Sequence, residues 1–290
     1  MLKTIAKIYK QLPIVRELRE IRDSRLRSEA LLAAGQVIRL LDFELRDHPR
    51  YGDPQRLLCY HAQACSQNSE DGIIHEIFRR IGTSTRVFAE VGVGSGSENN
   101  TAFLLSQGWT GFWIDGCSDY LQALKGRPDL GDGCLRHRTA HVTAENIASL
   151  FEQLGVPPEF DLLSLDIDQN THRVWQALTD FRPRVAVIEY NAAIPPDVEW
   201  EAIYDRQRAW DGSQNYGASL KTLERIGRGL GYSLVGCDIT GVNAFFVREE
   251  LTAGQFAEPF TAENHYEPVR YAMIHRRGHR AAILDRQAPG

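Results

Sequence analysis

At 290 residues, with 43% hydrophobic and 24% charged side chains, the chain is large enough to bury one sizeable α/β core without disulfide staples. A formal net charge of −5 argues against a general nucleic-acid binder, which carries a basic face. No apolar run approaches the roughly 20 residues that span a bilayer, and the N-terminus lacks the uninterrupted apolar core of a secretory signal. The five cysteines (Cys59, Cys65, Cys117, Cys134, Cys237) are odd in number and scattered, with no C-x-x-C pair. Neither zinc nor a disulfide framework is indicated, and a reducing, cytoplasmic setting fits best.

Residues 1–50 read as a helical extension. Leu2, Ile5, Ile8 and Leu12 recur at helical spacing, Pro13 interrupts, and Ile14, Leu18 and Ile21 resume the stripe toward Leu31, Leu41 and Leu45. Basic residues are dense here, among them Lys3, Lys7, Lys10, Arg16, Arg19 and Arg22. The plain reading is a helical appendage that packs on the main domain or on a second subunit of a homo-oligomer; docking on a membrane surface is the sharper alternative. Tyr51-Gly52-Asp53-Pro54 has turn chemistry and sets the start of a second domain, residues 51–290.

From there short apolar runs at Val87–Val91, Gly111–Ile114, Leu162–Leu165 and Val185–Ile188 alternate with helical stretches at Thr101–Gln107, Ala144–Leu154 and Arg173–Leu178. That alternation predicts βαβ units and a mostly parallel sheet. Ser233–Val235 and Ala244–Val247 are expected to add an antiparallel hairpin at the sheet edge. The tail after Glu249 is mixed in character, and neither an internal repeat nor a low-complexity segment is present.

The run Glu90-Val91-Gly92-Val93-Gly94-Ser95-Gly96 joins a strand to the helix that follows. Glycines allow a tight turn whose backbone a ligand can approach closely. A dinucleotide fingerprint needs a further glycine where Ser97 stands, so that pattern fails. Glu90 would repel a pyrophosphate yet suits the amino group and sulfonium environment of S-adenosylmethionine. Asp115 ends the next strand, where a carboxylate can accept hydrogen bonds from both hydroxyls of a ribose. The plain alternative is a tight β-to-α connection with no ligand.

Several blocks carry a resemblance to a known family. They are Ser66-Gln67-Asn68-Ser69-Glu70-Asp71-Gly72, the loop Glu90–Gly96 with Asn100-Thr101, Gly108-Trp109-Thr110-Gly111 leading to Asp115-Gly116, and Asp161-Leu162-Leu163-Ser164-Leu165-Asp166-Ile167-Asp168. Ile188-Glu189-Tyr190-Asn191, Tyr216-Gly217-Ala218-Ser219-Leu220, Gly231-Tyr232 and Asn243–Arg248 follow in order. Across about residues 60 to 250 the chain resembles the bacterial methyltransferases related to the FkbM-type sugar and polyketide O-methyltransferases. The resemblance implies a Rossmann-like class I methyltransferase fold and use of S-adenosylmethionine. It also implies that Gln67, Glu70 and Asp71 close over the cofactor, and that Gly92, Gly94, Gly96, Asn100 and Gly116 belong to its site. Read from the residues alone, Glu70 and Asp71 fit a helix start equally well. Thr143 either caps the helix Ala144–Leu154 or belongs to a loop lining the adenine pocket.

Leu162–Leu165 and Val185–Ile188 should be neighbouring parallel strands whose carboxyl ends open into one crevice. Asp166 and Asp168 follow the first, and Glu189, Tyr190 and Asn191 the second. Hard oxygen donors of this kind suit magnesium or calcium. The arrangement resembles metal-dependent O-methyltransferases, including the macrolide-sugar enzymes and catechol methyltransferase, with Asp166, Glu189 and Asn191 as the ligands and Tyr190 departing from the pattern. The alternative is that the two aspartates cap the next helix and bind loop amides, with no cation. A base is needed either way, and His172 and Asp168 are the two candidates. Trp200, Tyr204, Trp210, Asn215 and Tyr216 offer aromatic and amide faces of the sort that suit a sugar ring. A hydroxyl of a sugar or glycan is the expected acceptor, chiefly on the strength of the resemblance.

Overall fold

The valine- and isoleucine-rich runs become the central strands of a seven-stranded sheet. In the computed structural model, which describes residues 48–94, 96, 98–118, 133–207 and 210–271 and scattered positions between 14 and 45, its order is β3-β2-β1-β4-β5-β7-β6. The strands are β1 (Val87–Val91), β2 (Thr110–Asp115), β3 (Leu135–Thr139), β4 (Glu159–Leu165), β5 (Arg182–Glu189), β6 (Tyr232–Cys237) and β7 (Asn243–Arg248). The first five run parallel, and β7 lies antiparallel between β5 and β6. The mostly parallel sheet with an antiparallel edge hairpin is as expected.

Side-chain alternation sorts the core onto two faces. Ala89, Leu163, Ala186 and Phe246 face one cluster, together with Ile147, Leu150 and Phe151 of α3 (Ile147–Leu154), Trp175 of α4 (Thr171–Gln176) and Leu223 of α5 (Leu220–Gly229). Phe88, Leu162, Val185, Val187 and Phe245 face the other, with Ile73, Ile74 and Ile77 of α1 (Glu70–Ile81) and Leu104 of α2 (Ala102–Ser106). Both faces are covered, as a parallel sheet requires, because its strands are apolar on both sides.

The chain divides into two compact units, Met1–His48 and Pro49–Gly290. The described positions of the first from Ile14 to Arg39 are helical. The stripe Leu2, Ile5, Ile8 and Leu12 lies outside the described residues. No described helix is long and apolar enough to cross a membrane.

Two local expectations are corrected. The helix expected from Ala144 begins at Ile147, and Thr143 does not cap it: the Thr143 amide donates to Asn146 Oδ1 at 2.8 Å. Strand β3 lacks an apolar run; its sequence Leu-Arg-His-Arg-Thr suits an outermost strand.

At the amino end of the sheet Asp161 is fully buried in β4. Its carboxylate accepts from the amides of Ser84, Thr85 and Arg86 and from the Arg184 guanidinium at 2.7–3.3 Å, which fixes the entry into β1. Asp161→Ala strands those donors, and urea unfolding should show a loss of about 3 kcal/mol or more. A loss under about 1 kcal/mol would show that water replaces the carboxylate without cost.

Candidate functional site

The carboxyl ends of β1, β2, β4 and β5 share one edge of the sheet. At the end of β1 the chain turns through Gly92, whose φ is +85°. A Cβ there would lie 1.5 Å from the Asp166 carbonyl oxygen. Only glycine permits this approach, while the Asp166 amide donates to the Val91 carbonyl at 3.0 Å. The turn continues through Gly94 and Gly96, both with positive φ, and closes with the Gly96 amide on the Val93 carbonyl at 3.2 Å. Ser95 and Ser97 lie outside the described residues. Asp115, at the end of β2, accepts from the Gly94 amide at 2.8 Å and the Cys117 amide at 2.7 Å, so it braces the glycine turn from the side.

Three cavities meet here. The first, about 390 Å³, lies between the glycine turn and the loop Ala140-His141-Val142, with Asp115, Gly116 and Asn170 in its wall. The second, about 210 Å³, is lined by Gln67, Glu70, Glu90, Asn99, Asn100 and Asn243, with Asn68 and the glycine turn beside them. The third, about 460 Å³, lies over the end of β5, with Glu189, Asn191, Trp210 and Tyr216 in its wall. Asp166 lines all three, and Asp168 the first and third.

The second cavity is rich in acceptors. Glu90 is buried and saturated: its oxygens accept from the Asn99 amide group, the Asn100 and Thr101 backbone amides, and the Thr101 and Ser164 hydroxyls at 2.5–3.3 Å. It therefore fixes the entry to α2 as well as lining the cavity. Glu70 accepts from Asn243 Nδ2 and the Asn68 amide, both at 2.7 Å. Burial, and then the Asp238 charge, push its carboxyl up to about 8. The amide oxygens of Asn68, Asn99 and Asn243 have no partner, although they are buried. Unpaired buried acceptors around a cavity call for a donor-rich ligand or ordered water.

Where the cavities join, Asp166, Asp168 and Glu189 each present a carboxylate oxygen within 4.8 Å of the others. Asp168 holds a left-handed conformation, φ +58°, unusual for a residue with a Cβ. Burial first, and then the Asp168 charge, push Asp166 up to about 6, and burial with the two aspartates raises Glu189 well above the carboxylate range. Three acids this close cannot all ionise without a compensating positive charge.

The structure keeps several expected site residues apart from this centre. Asp71 lines none of the three cavities; its Oδ2 accepts from the amides of Ala64, Cys65 and Ser66 at 2.7–2.8 Å and so shapes the loop before α1. Thr143 and Gly96 also lie outside the three linings. His172 is not at the crevice mouth: it is fully buried on α4, both ring nitrogens lack hydrogen-bond partners, and burial pushes its pKa down to about 4. Its nearest acid is Glu201, 3.7 Å away. Asn191 reaches the third cavity, but its amide is occupied, donating to the Gln214 and Tyr216 carbonyls and accepting from the Ala193 amide. Asp168 is the third carboxylate of the cluster.

Other lining residues had no sequence signal assigned to them. Val269 and Tyr271 come from the tail, and the Tyr271 hydroxyl meets that of Tyr216 at 2.8 Å. Of the expected aromatic faces, Trp210 and Tyr216 line the third cavity, whereas the Tyr204 hydroxyl bonds Glu145.

The strand order and the reversed β7 make this a Rossmann-like class I methyltransferase fold. No family model and no curated protein matches the chain. Solved structures do. A putative S-adenosylmethionine-dependent methyltransferase from Listeria monocytogenes aligns at 10% identity over 60% of this chain and 96% of its own, with a TM-score of 0.40. A putative O-methyltransferase from Klebsiella pneumoniae aligns at 12% over 71% and 92%, TM-score 0.42. An S-adenosylmethionine-dependent methyltransferase from Clostridium acetobutylicum aligns at 12% over 74% and 96%, TM-score 0.37.

The raised pKa of Asp166 has a stability signature. The folded chain holds this proton more tightly than the unfolded one, whose value is near the ordinary 3.8. Its contribution is therefore complete below pH about 4 and is lost as pH rises through about 6. In chelator, the Tm of the wild type minus that of Asp166→Asn should fall as pH rises from about 4 to about 7. A difference that stays flat across this range would mean that Asp166 is not held protonated by its neighbours.

Proposed function

We propose that the chain is an S-adenosylmethionine-dependent O-methyltransferase that methylates a hydroxyl, with a divalent cation held by Asp166, Asp168 and Glu189. The observation that carries this reading is the position of Asp166, in the wall of all three cavities at the point where a donor site and an acceptor site would meet.

The residues fit the donor. Asp115 and Gly116 line the first cavity, where the carboxylate can accept from a ribose while it braces Gly94. The loop Ala140-His141-Val142 supplies the wall for a flat base. The second cavity, with Glu70, Glu90 and the unpaired amide oxygens of Asn68, Asn99 and Asn243, suits the ammonium of an amino acid. The glycine turn lines both cavities and lets a ligand pass between them along its backbone. S-adenosylmethionine bound there supplies an electrophilic methyl group.

The residues also fit a hard cation, because the three clustered carboxylates gain from the opposite charge. When bound, such a cation lowers the pKa of a coordinated hydroxyl. Asp168 borders both the first and third cavities, so that a carboxylate oxygen not used by the cation can take the proton. His172 is too buried for that task. Sugar hydroxyls are the acceptors favoured by the sequence resemblance, and Trp210, Tyr216, Gln214 and Ser213 supply an aromatic and polar wall for such a ring.

Calorimetry with S-adenosylmethionine, and separately with NAD, tests the donor. Binding of the first alone is expected, and Asp115→Ala should weaken it by about 1–3 kcal/mol, the scale for hydrogen bonds to a charged group. Binding of NAD alone would overturn the reading. Titration with Mg2+ should show one site that Asp166→Asn abolishes. Donor binding without any Mg2+ site would leave a metal-independent methyltransferase.

A further inference from the structure

The third cavity has a divided wall. Its floor is acidic, built by Asp166, Asp168 and Glu189 at the strand ends, and no described Lys, Arg or His lines it. Its rim is open to solvent and sets apolar Trp210, Val269 and Tyr271 beside exposed Gly212, Ser213 and Gln214. In the unit Pro49–Gly290 the exposed large hydrophobic residues among those described are Val198, Ile203, Trp210, Val269 and Tyr271. All five fall in two segments, 198–210 and 269–271. Trp210, Val269 and Tyr271, exposed by 49%, 42% and 41%, line this cavity, and Trp210 also borders the first. Single exposed apolar side chains are ordinary, but three converging on the mouth of a cavity make a recognition surface.

The rim is held in place on both sides. On the tail side, Arg270 sits between the two rim residues. Its amide donates to the Thr240 carbonyl at 2.8 Å, and its guanidinium bonds the Ile239 carbonyl and the buried carboxylate of Glu267. Glu267 is fixed in turn by Arg50 and Tyr51. On the opposite side the Trp210 indole donates to the Ser213 carbonyl and meets the Tyr216 ring edge-on at 6.0 Å. The Tyr216–Tyr271 hydroxyl contact joins the two sides. A rim held this way loses little conformational freedom when it covers a ligand.

From this division we infer that the acceptor is an uncharged amphipathic molecule: a hydroxyl-bearing ring set over the acidic floor, carrying an apolar substituent that lies across Trp210, Val269 and Tyr271. The inference rests on the methyltransferase reading above and names the acceptor class for that site. A phosphorylated or carboxylated acceptor meets three clustered carboxylates with no described Lys, Arg or His beside them in this cavity, and the repulsion disfavours it. A bare polyol leaves the apolar rim exposed to water, whereas an apolar substituent buries it.

The test uses the full chain with Mg2+ and S-adenosylhomocysteine, and three probes: monomeric octyl β-glucoside, methyl β-glucoside and glucose 6-phosphate. Octyl glucoside is expected to bind at least about tenfold tighter than methyl glucoside, because burial of even two methylenes supplies that factor. Glucose 6-phosphate should bind more weakly than methyl glucoside. Val269→Asp and Trp210→Ala should each cut the octyl preference, whereas Val198→Asp, an exposed change outside the cavity lining, should leave it intact. Equal binding of the two glucosides, binding of neither, tighter binding of the phosphate, or an octyl preference that survives Val269→Asp combined with Trp210→Ala would each overturn the inference. Binding of S-adenosylhomocysteine in the same samples separates the two levels: its loss removes the underlying methyltransferase reading, whereas its retention confines the failure to the acceptor.

Discussion

The close approach of Gly92 to the Asp166 carbonyl is the constraint on which the site depends. The ladder between β1 and β4 ends with the Asp166 amide on the Val91 carbonyl, and from there the two chains diverge into the glycine turn and the acidic loop. With no Cβ at Gly92, the backbone of one packs directly on the backbone of the other. This contact puts Asp166 beside both cavities that the glycine turn lines. Any side chain at Gly92 would push the two loops apart, and the donor-side cavities would lose their common wall. The bend also needs positive φ at three glycines, so the turn is specified by backbone sterics as well as by packing.

Buried acids serve two different purposes in this fold, and their hydrogen bonding distinguishes them. Asp161, Asp71 and Asp238 each gather several backbone amides and shape loops: the entry to β1, the segment before α1 and the β6–β7 turn. Glu90 does the same for α2. A carboxylate surrounded by donors offsets its own desolvation. Asp166, Asp168 and Glu189 instead face one another, and Glu189 accepts a long hydrogen bond, 3.4 Å, from the Thr171 hydroxyl. Burial raises the protonation of all three, and for Asp166 and Glu189 the negative charge of their neighbours raises it further. Such an arrangement lowers the stability of the empty domain near neutral pH, which is the expected mark of groups arranged for a ligand rather than for folding.

The same distinction explains what was legible in the sequence. Central strands are apolar on both faces and appear as short runs such as Val87–Val91 and Val185–Ile188. Edge strand β3 needs no such run, and its alternating basic residues gave no signal. Glu90, Asp115, Asp166 and Glu189 were legible because each sits at the carboxyl end of a central strand, where topology alone fixes the neighbourhood. Roles that depend on rotamers and local partners were not. Asp71 turned toward its own loop, the amide of Asn191 was taken up by neighbouring backbone groups, and His172 packed inward on α4. Val269 and Tyr271 reach the site from a distant part of the chain, through a segment without periodicity, and only the folded structure brings them there.

The two halves of the site are therefore built by different means. The proposed donor side consists of strand ends and a glycine turn fixed by the sheet, so its shape follows from the fold itself. The proposed acceptor side is assembled from the Trp210–Tyr216 segment and the tail, joined by a hydroxyl pair and held by Arg270, Glu267 and Arg50. Loops tolerate substitution far better than the strands that support them. Changes in the rim can thus leave Asp166, Asp168 and Glu189 fixed at the ends of β4 and β5. On the proposed reading, acceptor choice and donor chemistry meet at the residues the cavities share, Asp166 and Asp168 together with Gln67 and Trp210.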